Sequence, residues 1–120
     1  MIKTYLMFNG NCMEAMERYV SIFKGKVNFA MKYPDNSDKV YHAELDILGS
    51  TILCCDSEEE SVNNNMFISI CLKADELQKA WDALAEGGKI RYDLQPADFT
   101  ELHGSLKDKY GVNWMFSAEH

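Results

Sequence analysis

Phe23-Lys24-Gly25-Lys26-Val27 and Ala85-Glu86-Gly87-Gly88-Lys89-Ile90 stand roughly sixty residues apart, and each closes a helical stretch and opens an alternating, strand-like run. Working outward from this pair, Tyr41-His42-Ala43-Glu44-Leu45 is echoed by Leu102-His103-Gly104-Ser105-Leu106. Gly49 and Gly111 then each introduce a short apolar strand, Thr51 to Cys55 and Asn113 to Ser117. Internal self-similarity outranks most local signals when a fold is read from sequence. Two matched units are too few for a solenoid, so the chain reads as one pseudo-symmetric domain over residues 1–120, with module one about 1–60 and module two about 61–120.

Each module follows the same pattern. Lys3 to Phe8 has strand character, and Asn9-Gly10-Asn11 supplies a turn and a helix cap in which an Asn side chain is expected to accept from first-turn amides. Met13, Met16, Tyr19, Val20 and Phe23 recur at three- and four-residue steps and form one apolar stripe, closed by Gly25. Lys26 to Tyr33, Val40 to Ile47 and Thr51 to Asp56 read as strands, separated by the Pro34 to Lys39 loop and a tight turn at Gly49-Ser50. Ser57 to Asn65 is polar and reads as the junction. In the second half Met66 to Leu72 is a strand, Ala74-Asp75 caps a helix carrying Leu77, Ala80, Trp81 and Leu84 on one face, and Gly87-Gly88 stops it. Lys89 to Leu94, Leu102 to Lys107 and Asn113 to Ala118 complete the set. The expectation is an α+β fold of two βαβββ modules related by a pseudo-twofold, forming a curved mixed sheet around a cleft with the helices outside.

Composition narrows the function classes. A formal charge of −7 with 12 Lys and Arg against 19 Asp and Glu leaves no basic stripe for a phosphate backbone, so nucleic acid is not an expected partner. No run approaches the ~20 apolar residues that span a bilayer, and Met1-Ile2-Lys3-Thr4-Tyr5-Leu6 runs directly into a strand pattern, which gives the expectation of a cytoplasmic protein without membrane contact. Cys12, Cys54, Cys55 and Cys71 form no CxxC pair and read as reduced, mostly buried thiols. There is no GxGxxG, GxxxxGK[ST] or HExxH motif.

Four segments carry a resemblance to a known superfamily. They are Tyr5-Leu6-Met7-Phe8-Asn9-Gly10-Asn11-Cys12-Met13-Glu14-Ala15, Tyr41-His42-Ala43-Glu44-Leu45, Ala85-Glu86-Gly87-Gly88-Lys89 and Asp108-Lys109-Tyr110-Gly111-Val112-Asn113-Trp114-Met115. With them the chain resembles the vicinal oxygen chelate superfamily of glyoxalase I, bleomycin-resistance proteins and extradiol dioxygenases, and within it the PhnB-like branch. The resemblance implies paired βαβββ modules. It also implies four positions for ligands to a divalent ion: Glu44 in mid-chain, Thr4 or Tyr5 on the first strand, Phe67 at its counterpart in the second module and Met115 on the last strand. Of these, Glu44 alone has a ligating side chain of the expected type. The branch tends to carry an aromatic-Gly pair ahead of the final strands, where this chain has His103-Gly104.

Two functional readings follow. His42 and Glu44 are two apart on a strand and so share a face, which also takes Asp46; a His and a carboxylate so placed can bind a metal together or act as general acid and base. His103 holds the matching place in the second module, and two His with one Glu suit zinc, iron or nickel. This is the reading of a metal-dependent lyase, isomerase or dioxygenase-type enzyme, with Zn, Ni, Mn or Fe bound by Glu44, His42 and His103, and with Glu44 and His42 catalytic. The other reading is a binding protein for a small organic molecule with a degenerate metal site, in which Tyr5, Phe67, Trp114 and Met115 line the ligand. Trp81, on the helix stripe, is expected in the core. Exposed sheet edges at Lys3 to Phe8 and Met66 to Leu72 give the expectation of a homodimer.

Overall fold

The computed structural model describes residues 1–35, 37–58 and 65–119. The chain divides into two compact units, Met1–Val62 and Asn63–His120. In the first, β1 (Thr4–Phe8), α1 (Cys12–Phe23), β2 (Lys26–Lys32), β3 (Val40–Ile47) and β4 (Ser50–Asp56) form one helix and a four-stranded sheet of order β1-β4-β3-β2. The second repeats it with β5 (Ile68–Leu72), α2 (Ala74–Ala85), β6 (Lys89–Ala97), β7 (Thr100–Lys107) and β8 (Asn113–Ala118), in the order β5-β8-β7-β6. In each sheet the first strand runs parallel to the last and the other pairs are antiparallel. The fold is α+β, two four-stranded mixed sheets with one helix each, as the sequence pattern predicts. Among the described residues no helix is long and apolar enough to cross a membrane.

In the first unit the apolar stripe of α1, with Ala15, Met16, Tyr19 and Phe23 buried, lies against alternate residues of the sheet: Leu6 and Phe8, Ala43, Leu45 and Ile47, Ile52 and Cys54. This is the period of 3.6 in the helix meeting the period of 2 in the strands. The remaining alternates form the helix-free face. Cys12, Cys54 and Cys55 are buried, Cys71 is exposed, and all four are free thiols. A hydrogen bond with Cys54, reinforced by burial, pushes the Cys12 thiol well above its ordinary range, which keeps it protonated.

The helix caps differ from the expectation. Asn11 occupies the N-cap of α1 without a side-chain capping hydrogen bond, and the N-cap of α2 is Lys73, again without one. The first helix is capped at long range instead. Asp56, 3% exposed at the end of β4, accepts from the amides of Gly10 (2.8 Å) and Cys12 (3.0 Å) with one carboxylate oxygen and from the amide of Val40 (2.8 Å) with the other. A carboxylate three residues from a helix start is easy to read; one 44 residues away is not. Gly25 also acts otherwise than as a left-handed cap, since Lys24 takes that conformation (φ 52°). A Cβ at Gly25 would strike the carbonyl of Asp46, and one at Gly88 the carbonyl of Lys107. Both glycines let the incoming strand lie close on its neighbour, and this explains the repeat that opens the sequence.

In the second unit Leu77, Ala80, Trp81 and Leu84 of α2 pack on Ile70, Leu72, Leu106, Trp114, Phe116 and Ala118. Trp81 is core as expected, edge-on to Phe116 at 5.6 Å between centroids, and Gly104 makes room for it: a Cβ there would lie 2.9 Å from the indole ring. β6 runs to Ala97 and β7 starts at Thr100, so this hairpin is longer than its sequence pattern suggests, whereas β5 is shorter and starts at Ile68.

Two stability outcomes follow. Asp56→Ala leaves the buried amides of Cys12 and Val40 without an acceptor, with the half-buried amide of Gly10 beside them, and should cost at least about 2 kcal/mol, read as a fall in the urea midpoint. Leu48 (φ 50°) and Gly49 (φ 80°) form the two-residue turn between Ile47 and Ser50, a mirror-image turn in which leucine is strained. Leu48→Asn should therefore raise stability by roughly 0.5–1 kcal/mol, measured by thermal melting.

Candidate functional site

Alternation along β3 places His42, Glu44 and Asp46 on the helix-free face of the first sheet, as read from the sequence. Register then brings neighbours to them. Glu44 lies opposite Leu53 of β4 and Phe29 of β2, and Leu53 lies opposite Tyr5 of β1. Met31 lies opposite His42. A register shift between Val27 and Phe29 leaves Asn28 as an extra residue, and its amide reaches back to the same face.

The polar groups are already engaged. The Glu44 carboxylate takes Lys3 Nζ at 3.5 Å on one oxygen and Asn28 Nδ2 at 2.8 Å on the other. Asp46 accepts from Thr51 Oγ1 at 3.2 Å. The Tyr5 hydroxyl and His42 Nδ1 share a hydrogen bond of 3.0 Å, and the Phe29 ring lies 5.5 Å from the imidazole. Burial, reinforced by a hydrogen bond with Cys55, pushes the Tyr5 phenol up to about 12, so it stays a hydrogen-bond donor throughout the physiological range. Around this polar centre stand Tyr5, Met7, Phe29 and Met31, between 40% and 54% exposed. The face offers flat and flexible apolar surface beside one phenol-imidazole pair.

The other expected site residues belong to the second unit. Met115 and Phe67 are half-buried on its helix-free face, with the Arg91 guanidinium 4.7 Å from the centre of the Phe67 ring. His103 lies there too: its Nδ1 is 3.1 Å from Ser117 Oγ, and Phe99 meets it edge-on at 5.0 Å. Trp114 is placed differently from the expectation. It is fully buried on the helix side of β8, its indole N–H donating to Asp108 Oδ2 at 2.9 Å, and does not line the helix-free face. Strand alternation carries this signal, because adjacent Trp114 and Met115 cannot face the same way.

Among the described residues no group of three or more His, Cys, Asp or Glu side chains is placed to hold a metal ion. Glu44 sits on a third strand and Met115 on a fourth, so the ligand positions implied by resemblance are not paired by the repeat: Leu53 matches Met115, and Ser105 matches Glu44. The sequence reading missed Asn28 and Lys3, which satisfy Glu44. It also missed a recess of about 420 Å³ in the first unit lined by Gly10, Tyr33, Asp35, Lys39, Asp56, Ser57 and Glu58. Glu58 reads from sequence as part of a solvated acidic run whose other members, residues 59 and 60, lie outside the described residues. In that recess hydrogen bonds from Ser37 hold the Asp35 carboxyl below its ordinary range.

A family model described as 3-demethylubiquinone-9 3-methyltransferase matches residues 1–117. The chain belongs to this PhnB-like family. A PhnB protein from Bacillus cereus is 31% identical, covers 98% of each chain and superposes with a TM-score of 0.82. Protein PA1353 from Pseudomonas aeruginosa is 30% identical over 98% of this chain and 96% of its own, with a TM-score of 0.90. Protein YjdN of Escherichia coli is 27% identical over 98% of this chain and 94% of its own. The fosfomycin resistance protein FosX from Mesorhizobium loti, 10% identical over 100% of this chain and 92% of its own, shares the glyoxalase fold with a TM-score of 0.70. The two-module plan of this chain is thus shared, as a fold, with that resistance protein.

For this PhnB-like chain the raised phenol gives a signed expectation. An unfolded tyrosine ionises near 10 and Tyr5 near 12, so the native state holds its proton longer and loses stability as pH rises through that window. Tyrosinate absorbance should show a late-titrating component that Tyr5→Phe removes, and the variant should lose less stability than wild type between about pH 10 and 12.

Proposed function

We infer that this PhnB-like protein binds a small, flat organic molecule on the helix-free face of its first unit, held by the Tyr5–His42 pair and walled by Phe29, Met7 and Met31. The observation that carries the reading is the state of Glu44. A metal-ligating carboxylate keeps at least one oxygen for the ion, whereas both oxygens of this one are engaged, one by a cation and the other by an amide donor, beside four exposed apolar side chains on one face. A methionine-lined surface suits ligands of varied shape. The metal site is read as degenerate, and the protein as a cytoplasmic homodimer, paired through edge strands β1 and β5, which each bond to one neighbour within their sheet.

The test uses 2-naphthol, a flat phenol, titrated by calorimetry into the intact protein. Saturable binding is expected, weakened at least about fivefold in Tyr5→Ala and in His42→Ala, the loss of about one hydrogen bond. Binding unchanged in both variants would remove the site. Parallel titrations with zinc, nickel, manganese and iron(II) are expected to be silent. Stoichiometric uptake lost in Glu44→Gln would replace this reading with the metal-assisted lyase, isomerase or dioxygenase-type one. Light scattering returning a mass near 13.7 kDa would remove the dimer.

A further inference from the structure

The two units place three polar positions in the same register and fill them with different residues. Phe29 faces Glu44 and Tyr92 faces Ser105, so Ser105 stands where Glu44 stands. The register shifts between Val27 and Phe29 and between Ile90 and Tyr92 leave Asn28 and Arg91 as the matching extra residues. Thr4 pairs with Ile52 and Ile68 with Trp114, and these partners lie opposite Leu45 and Leu106, so Phe67 stands where Lys3 stands. In the first unit the trio Lys3, Glu44 and Asn28 is a closed network around one carboxylate. In the second the trio is Phe67, Ser105 and Arg91, which has a cation and a hydroxyl and no carboxylate.

Both polar members are left wanting. Ser105 is 5% exposed and its hydroxyl has no hydrogen-bond partner among the described residues. A buried hydroxyl in that state is costly and uncommon in folded proteins. By alternation it points away from α2, since its neighbours Gly104 and Leu106 face the helix. Arg91 has no ion pair or hydrogen-bond acceptor among the described residues, and its guanidinium rests on the face of Phe67. Arg91 sits on one edge strand and Phe67 beside the other, so their stack spans the sheet. The helix side is filled by Trp81, Trp114 and Phe116, which places the stack over the helix-free face, where Ser105 and Met115 lie opposite each other.

We propose that the helix-free face of the second unit binds the carboxylate of a small apolar acid between the Arg91 guanidinium and the Ser105 hydroxyl, with the apolar part against Phe67 and Met115. The ligand supplies the group that Glu44 supplies in the other unit. The guanidinium fork matches a planar carboxylate, the serine donates one further hydrogen bond, and the cation-π contact that lays Arg91 across this face is weak at an exposed site, so the ligand can displace it. This proposal stands independently of the one for the first unit.

Sodium benzoate is the probe, titrated into the full chain and followed by amide NMR shifts, with Lys79→Gln on the exposed side of α2 as the control for lost charge. Saturable shifts at Arg91, Tyr92, Ser105 and Met115 are expected, with affinity reduced at least about tenfold in Arg91→Gln and unchanged in Lys79→Gln. Ser105→Ala should melt no lower than wild type without ligand, yet gain less from benzoate. Equal binding of benzyl alcohol, equal competition by inorganic phosphate, shifts confined to other residues, or a Ser105→Ala variant that melts well below wild type would each overturn the proposal.

Discussion

The first unit depends on one buried carboxylate. Asp56 joins the turn after β1 and the first amide of α1, two residues further on, to the start of β3, far away in sequence. The amides of Cys12 and Val40 would otherwise face the interior without an acceptor, and helix starts leave several such donors. Asp108 does related work in the second unit, accepting from the amides of Tyr110 and Val112 and from the Trp114 indole. Asp56 closes the end of a fourth strand and Asp108 the turn before one, so the two modules share their sheet order without sharing their polar anchors.

On that frame the helix-free faces diverge. The repeat keeps what backbone geometry demands: glycines where a strand must approach its neighbour's carbonyl, and a bulge in the second strand that turns one extra side chain onto the face. It does not keep the residues presented there. The first face closes its charges internally and leaves aromatic and thioether surface around a phenol-imidazole pair. The second stacks a guanidinium on an aromatic ring and leaves a hydroxyl without a partner. One architecture thus carries two chemically different surfaces, consistent with function residing in sites and not in folds.

Much of this was legible in the sequence because it is periodic. The stripe of Met16, Tyr19 and Phe23 and the alternation of Ala43, Leu45 and Ile47 against His42, Glu44 and Asp46 are local patterns, and burial follows them. What escaped is non-local or breaks period. The acceptor capping α1 comes from 44 residues away, which no window reveals. Asn28 and Arg91 reach their faces through bulges that shift the alternation by one. Lys3 meets Glu44 through parallel pairing of the first and last strands, a topological fact. The core position of Trp114 is itself periodic, since Phe116 and Ala118 share its parity and are buried with it.

The hairpin between β3 and β4 sets the phase of everything on the first face. Its loop has two residues, Leu48 and Gly49, and side chains alternate strictly on either side of it. Were one residue inserted there and the slack passed into β3, His42, Glu44 and Asp46 would rotate into the helix interface while Ala43, Leu45 and Ile47 turned outward. The chemical identity of this surface is therefore stored partly as a count. Length variation at this turn is open to the lineage only in forms that preserve parity, whereas the residues of the turn itself answer only to its positive φ angles.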